Sequence, residues 1–178
     1  LYACGASEYG QCGILTGSKP LPVSIIMTSV QKVATSQGGN VGDAPHTILL
    51  TADNRLYAVG NNANLQTGCS GSDYYTIKPV NGVPSGTIAD ISAGFDHTLI
   101  LMENGDLYGI GNNAYGQLGA KGLGGTVGSF TKIASGVSSI AAGRRHTLYV
   151  SGGKLYALGD NRWNKLSASP TNKYTVPL

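Results

Sequence analysis

The chain has 178 residues, among them 27 glycines, with 12% charged side chains and a formal net charge of +3. That length suits one domain with its own core or an arc of a larger one, and abundant glycine without a collagen period points to many short strands joined by tight turns. No run approaches about 18 consecutive apolar residues, which excludes a membrane-spanning helix.

The chain opens on an apolar run, LYACG (residues 1–5), followed by the polar turn ASEYGQCG and a second run at residues 21–25. Because the opening run belongs to a motif that recurs, it does not read as a signal peptide, and a start at Leu1 rather than methionine reads as a piece of something longer. Next come HTILL (46–50), a turn at 52–55, LYAVG (56–60) and a short run at 77–80. The third stretch carries IADISAG (88–94), HTLIL (97–101), the turn ENGD, LYGIG (107–111) and FTKI (130–133). The last carries VSSIAAG (137–143), HTLYV (146–150), the turn SGGK, LYALG (155–159) and YTVP (174–177).

Two β-prone runs joined by Asn-Gly or Gly-Gly make a hairpin, and the small residues of 88–94 and 137–143 suit a crowded inner strand. The four LYxxG copies lie 55, 51 and 48 residues apart, giving four strands per roughly 50 residues, the period of propeller blades. The predicted fold is an all-β partial β-propeller: residues 1–29 the outer half of one blade, then four-stranded blades at 30–82, 83–136 and 137–178. The segment 37–43 interrupts the first full unit as a loop insertion, and the last unit has lost its GQLG.

Taken alone, YGIGNNAYGQLG (108–119) looks like a phosphate loop. Its glycines Gly109, Gly111 and Gly116 are two and then five apart, not the G-x-G-x-x-G of a dinucleotide site, and Gln117-Leu118 stands where a phosphate loop needs Lys-Ser/Thr. Three weaker copies of the same turn give it a structural reading, with no cofactor and no small-molecule ligand expected.

The units resemble the repeats of the regulator of chromosome condensation family, which read V-x-x-I-A-A-G-x-x-H-T-L-x-L-x-x-x-G-x-L-Y-x-x-G-x-N-x-x-G-Q-L-G. The match is closest over 88–119 and 137–163 and covers nearly the whole chain. The resemblance implies a seven-bladed β-propeller of which this chain carries about half. It also implies that acidic and histidine side chains of the loop before His-Thr face a small GTPase in nucleotide-exchange members, and here only Asp96 and the histidines fit that role.

The repeat-wide residues read as scaffold. His46, His97 and His146 sit at equivalent strand starts, where a packed imidazole satisfying backbone groups is simpler than a metal site. Tyr57, Tyr108 and Tyr156 read as inter-blade packing, and Gly60, Gly111 and Gly159 mark where the third strand ends and turns. Asn61, Asn62, Asn112, Asn113 and Asn161 suit left-handed turn positions or side-chain bonds to backbone. The three cysteines, Cys4, Cys12 and Cys69, form no C-x-x-C pair, which argues against zinc. Their odd number and the absence of an Asn-x-Ser/Thr sequon favour free thiols inside a cell, although Cys4 and Cys12 could pair across a turn.

Positions that vary over a fixed scaffold are the better functional candidates. The pair before His-Thr changes from Ala44-Pro45 through Phe95-Asp96 to Arg144-Arg145, and between residues 137 and 178 half of the 12 basic residues face one acid, Asp160. Phe95, Asp96, Arg144, Arg145, Arg162 and Trp163 are therefore the expected partner-binding residues. No G-x-S-x-G, H-E-x-x-H or carboxylate pair supports an enzyme. The expected function is a non-catalytic protein–protein interaction scaffold, docking protein partners or further propeller blades. The alternatives are guanine-nucleotide exchange on a small GTPase, nucleic-acid or chromatin binding through the basic last blade, and secreted inhibition of an enzyme, a role known for a member of this fold family.

Overall fold

The computed structural model describes residues 2–5, 19–24, 27–36, 45–71, 76–119, 123–164, 166–167 and 173–174. The segment 37–43, the first polar turn, Ala44, Lys165 and any Cys4–Cys12 bridge lie outside them. Every regular element among the described residues is a strand. In chain order these are β1 (Tyr2–Gly5), β2 (Lys19–Ser24), β3 (Val30–Thr35), β4 (His46–Thr51), β5 (Leu56–Gly60), β6 (Lys78–Pro79) and β7 (Ile88–Ala93). They continue with β8 (His97–Met102), β9 (Leu107–Asn112), β10 (Thr126–Ala134), β11 (Val137–Ala142), β12 (His146–Ser151), β13 (Lys154–Asp160) and β14 (Lys173–Tyr174).

β1 pairs with β2, and the rest form three four-stranded antiparallel meanders, β3–β6, β7–β10 and β11–β14. In each meander the histidine stands opposite the glycine that ends LYxxG: His46 opposite Gly60, His97 opposite Gly111, His146 opposite Gly159. Those glycines have φ of +102°, +112° and +107°, and a Cβ on Gly111 would lie 2.6 Å from the Asp96 carbonyl oxygen and 2.8 Å from the His97 Cα. Only glycine fits so close a crossing in the left-handed region. Gly94 is required for a different reason, because a Cβ there would run into the His97 ring.

The first strands of the meanders lie side by side, β7 between β3 and β11, and the sheets stack face to face. One core joins Ile48, Leu50, Leu56 and Ala58 of the first meander to Ile88, Ile91, Ile100 and Met102 of the second. The next core joins Leu99, Leu101, Leu107, Leu118 and Val127 to Val137, Tyr149 and Leu158 of the third. Strand periodicity explains this: alternate β8 side chains point to opposite faces, so Ile100 and Met102 serve one core and Leu99 and Leu101 the other. All six β8 residues are buried in consequence. Tyr108 and Tyr156 pack at the edges of these two cores, and Tyr57 lies in the corresponding strand position of the first meander. In β12, Thr147 and Tyr149 are buried against the second meander, whereas Leu148 and Val150 on the other face are only partly covered and Leu155 is 65% exposed.

Polar links tie the same junctions. Thr98 donates its hydroxyl to the Gln66 carbonyl at 2.6 Å, so it accepts from the His46 Nε2–H, 2.8 Å away. His97 Nε2 lies 3.3 Å from the Thr147 hydroxyl one sheet further on. Lys32 pairs with Asp90 at 2.8 Å between β3 and β7. At the far end, the Asn54 side chain accepts from Ile88 N and donates to the Gly86 carbonyl, both at 2.9 Å. Burial holds His46 and His97 neutral, lowering both to a pKa of about 3, with His46 and His146 adding to the effect on His97.

Two outcomes follow for stability. Leu99→Ala, at a fully buried inter-sheet position, is expected to cost about 2–5 kcal/mol in urea unfolding, whereas Leu155→Ala should stay within about 0.5 kcal/mol. A histidine whose folded pKa is depressed contributes fully above its unfolded value near 6.5, and that stability is lost as pH falls towards 3, because only the unfolded chain takes up the proton. Below about pH 6.5 the unfolding free energy should drop by roughly 1.4 kcal/mol per pH unit for each of the two, and urea titrations of His97→Gln should show about half that dependence.

Candidate protein-docking rim

Each meander carries a loop after its third strand, and asparagines build it. Asn113 donates to the Gly119 carbonyl and accepts from Leu118 N at 3.0 and 2.9 Å, and Asn62 makes the same pair of bonds to Cys69 and Thr67. Asn161 repeats it with Ser167 and Leu166. In the glycine-rich copy, Ala114 N bonds to Asn112 Oδ1, Tyr115 N to Gln117 Oε1, Gly116 N to the Asn113 carbonyl and Gly119 N to the Gly116 carbonyl. The amides that a phosphate cradle requires are bonded within the loop, which makes it a scaffold turn. The left-handed turn position falls on Leu65, Gly116 and Asn164 rather than on the asparagines before it.

These loops and the turns before His-Thr meet at one end of the sheets. Phe95 N donates to the Arg144 carbonyl at 3.2 Å, joining the turns of two neighbouring meanders. The Arg144 guanidinium lies over the Phe95 ring, 4.6 Å from its centroid. One step away, Arg145 and Arg162 both stack on Tyr115, at 4.9 and 4.7 Å. In each pair the ring belongs to the second meander and the guanidinium to the third, so the rim is stitched by cation–π contacts worth about 0.5–2 kcal/mol each.

Two carboxylates lie beneath. Asp160, 1% exposed, holds Arg162 in a bidentate pair, Nε to Oδ1 at 2.9 Å and Nη2 to Oδ2 at 3.0 Å. It occupies the position that Asn61 and Asn112 hold in the other two loops, and charge there lets Arg162 replace the bond that Gln66 makes to Asn61. Asp96 is 9% exposed and its Oδ1 has no hydrogen-bond partner. Burial pushes its carboxyl upward, while Arg145, the Asn112 side chain and Arg144 oppose the shift. Trp163 follows Arg162 at 94% exposure with φ of 71°.

Of the residues expected at the partner surface, Arg144, Arg162 and Trp163 are exposed, Phe95 and Arg145 partly buried, and Asp96 buried. Tyr115 and Asp160 were not singled out as site residues in the sequence. The signals for them were there: Tyr115 aligns with Trp163, and Asp160 stands where two of the other copies have asparagine, Asn61 and Asn112. The basic charge of the last unit divides, since Lys173 stands opposite Asp160 whereas Lys154 is at the other end of β13. Among the described residues no group of three His, Cys, Asp or Glu side chains is placed to hold a metal ion, and no helix is long and apolar enough to cross a membrane.

Removing the cation above Asp160 leaves a buried carboxylate without that partner. Arg162→Ala should cost about 1–3 kcal/mol, and adding Asp160→Asn should recover most of it by restoring the residue of the other two loops; a thermal or urea double-mutant cycle measures both.

The family model for the regulator of chromosome condensation repeat matches residues 88–117. The chain is 31% identical over 158 residues to the Bos taurus secretion-regulating guanine nucleotide exchange factor, covering 83% of this chain and 32% of that protein. It is 27% identical over 184 residues to the human probable E3 ubiquitin-protein ligase HERC4, covering all of this chain and 17% of that protein. The crystal structure of Prp20p from Saccharomyces cerevisiae, described with its binding properties to Gsp1p and histones, superposes with a TM-score of 0.83 at 26% identity, covering 99% of this chain and 45% of that one. The chain thus spans less than half the length of each of these proteins. A motif kept in order through each meander, on a fold shared with Prp20p, makes this chain a β-propeller arc of the regulator of chromosome condensation repeat family.

Proposed function

We propose that the arc is a non-catalytic docking scaffold whose working surface is the rim of Phe95, Arg144, Arg145, Tyr115, Arg162 and Trp163. The observation that carries this reading is the contrast within one repeat position set. The residues that recur from copy to copy, His46, His97, Gln66 and Gln117, are buried in scaffold bonds, while the positions that vary between copies gather at one end, with a tryptophan 94% exposed. Rigid sheets beneath such a rim preorganise it and lower the cost of ordering side chains on binding. We read residues 30–82, 83–136 and 137–178 as three blades, with 1–29 as the outer half of a preceding one. The half-covered face of β12, set against the fully covered β8, supports a further blade stacking there.

A second reading, guanine-nucleotide exchange, is favoured by the 31% identity to the secretion-regulating exchange factor. Asp96 is the acid of the rim that would serve it, and it is buried under two arginines. Nucleotide-release assays with a panel of small GTPases test it, and no acceleration removes it.

For the docking reading, Arg144→Glu with Arg145→Glu should weaken binding of an affinity-purified protein partner by more than about tenfold, measured where the variant is still fully folded, since losing two cation–π contacts lowers its unfolding midpoint as well. Binding that survives this change but is lost on altering the opposite end, at Asp53 and Glu103, would remove the rim as the working face.

A further inference from the structure

We propose that Asn81 is a site of spontaneous covalent modification, losing its side-chain ammonia to attack by the Gly82 backbone nitrogen and becoming aspartate or isoaspartate, while the fold protects the other Asn-Gly pair. Asn81-Gly82 and Asn104-Gly105 are the two Asn-Gly pairs of the sequence. In such a pair the nitrogen after the asparagine belongs to a residue with no Cβ, so no side chain of its own hinders its approach to the carboxamide. The step balances with water alone. The Gly82 nitrogen gives up its proton and bonds to Asn81 Cγ, the Cγ–Nδ2 bond breaks, and ammonia leaves with the proton, closing a cyclic succinimide. Water then opens the ring at either carbonyl: cleavage at Cγ gives aspartate, and cleavage at the main-chain carbonyl gives isoaspartate, whose backbone runs through Cβ.

The two sites differ in what holds them. Asn81 follows β6 in the connection to β7, and both it and Gly82 are exposed. Gly82 has φ of +65°, and a Cβ built on it would meet nothing within 4 Å, so the ring has room to close. Among the described residues neither the Asn81 carboxamide nor the Gly82 N–H has a hydrogen-bond partner. Asn104 lies in the turn between β8 and β9, where Gly105 N donates to the Met102 carbonyl at 2.9 Å. Its Oδ1 accepts from Asp106 N at 2.9 Å and its Nδ2 donates to Asp106 Oδ2 at 3.3 Å. Gly105 is also crowded, since a Cβ there would stand 3.3 Å from the Gly136 Cα. Attack at Asn104 must first break the bonds of both the nitrogen and the carboxamide, which slows it by more than about tenfold. The product is tolerated at residue 81. Val80 N and Asn81 N, before the altered bond, donate to the Leu56 and Gly68 carbonyls, and Asn54 holds the Gly86 carbonyl after it. Residues 82–85 are left to take up the added backbone carbon. Each event also adds a carboxylate, lowering the formal net charge of +3 by one.

Ageing the purified protein in mildly alkaline buffer tests this, with peptide mass mapping following both asparagines in one sample and isoaspartyl methyltransferase labelling marking the isoaspartate. Asn81 should convert more than about tenfold faster than Asn104 in the folded protein. The two rates should converge in urea, where the turn no longer protects Asn104. Asn81→Gln, at an exposed side chain without bonds to lose, should remove the acidic shift seen by isoelectric focusing and leave the unfolding midpoint in place. Native conversion of Asn104 as fast as Asn81 overturns the inference, as does an Asn81 that stays intact in the folded protein. The same difference between the sites persisting in urea, or an acidic shift undiminished by Asn81→Gln, overturns it equally.

Discussion

The hydrogen bond that reaches from the histidine of one sheet to the threonine of the next, His46 to Thr98 and His97 to Thr147, sets the spacing on which everything else in this arc depends. A neutral imidazole with no exposure sits where two sheets meet, and it is accommodated because Gly94 has no side chain in its way and Gly111 lets the third strand cross close behind it. With the strand starts held together, the apolar side chains further along fall into register. Those of β8 divide between two cores, so the middle sheet is buried on both faces. Such a sheet is stable only between neighbours, which is why the repeat must be stacked to fold.

The rim is a product of that stacking. Phe95 and Tyr115 belong to one meander and the arginines that cover them to the next, so neither half of a cation–π pair is formed within a single repeat. The Phe95 amide bonded to the Arg144 carbonyl fixes the distance between the two turns. Asp160 then orients Arg162 from below. The proposed docking surface at this end is thereby assembled from side chains at positions that vary between copies, which lets successive copies differ there without loss of the fold.

Much of this was legible in the sequence because the repeat is periodic in the same residues that the packing needs. The spacing of HTLIL and LYGIG gave the hairpins, and the small residues of IADISA gave an inner strand that lies against its equivalents. Four copies of one turn removed the phosphate-loop reading of YGIGNNAYGQLG, and the internally bonded amides give the reason. Arg144, Arg145 and Arg162 were marked by their charge and variation. Tyr115 was not, although it shares the loop position of Trp163, since its own stretch does not tell a packing tyrosine from one stacked between arginines.

What the sequence by itself determined is therefore whatever repeats: strand order, hairpin registry, the scaffold role of the histidines and glycines, and the end of the sheets at which the copies differ. Only the tertiary structure decided which of the six basic residues after 137 act together, which carboxylates are hidden beneath them, and that Trp163 is left uncovered. The physical reason is the range of the interactions. Strand pairing within a hairpin is encoded over about ten residues, whereas stacking of Arg145 on Tyr115 joins side chains 30 residues apart on different sheets and exists only once those sheets have packed.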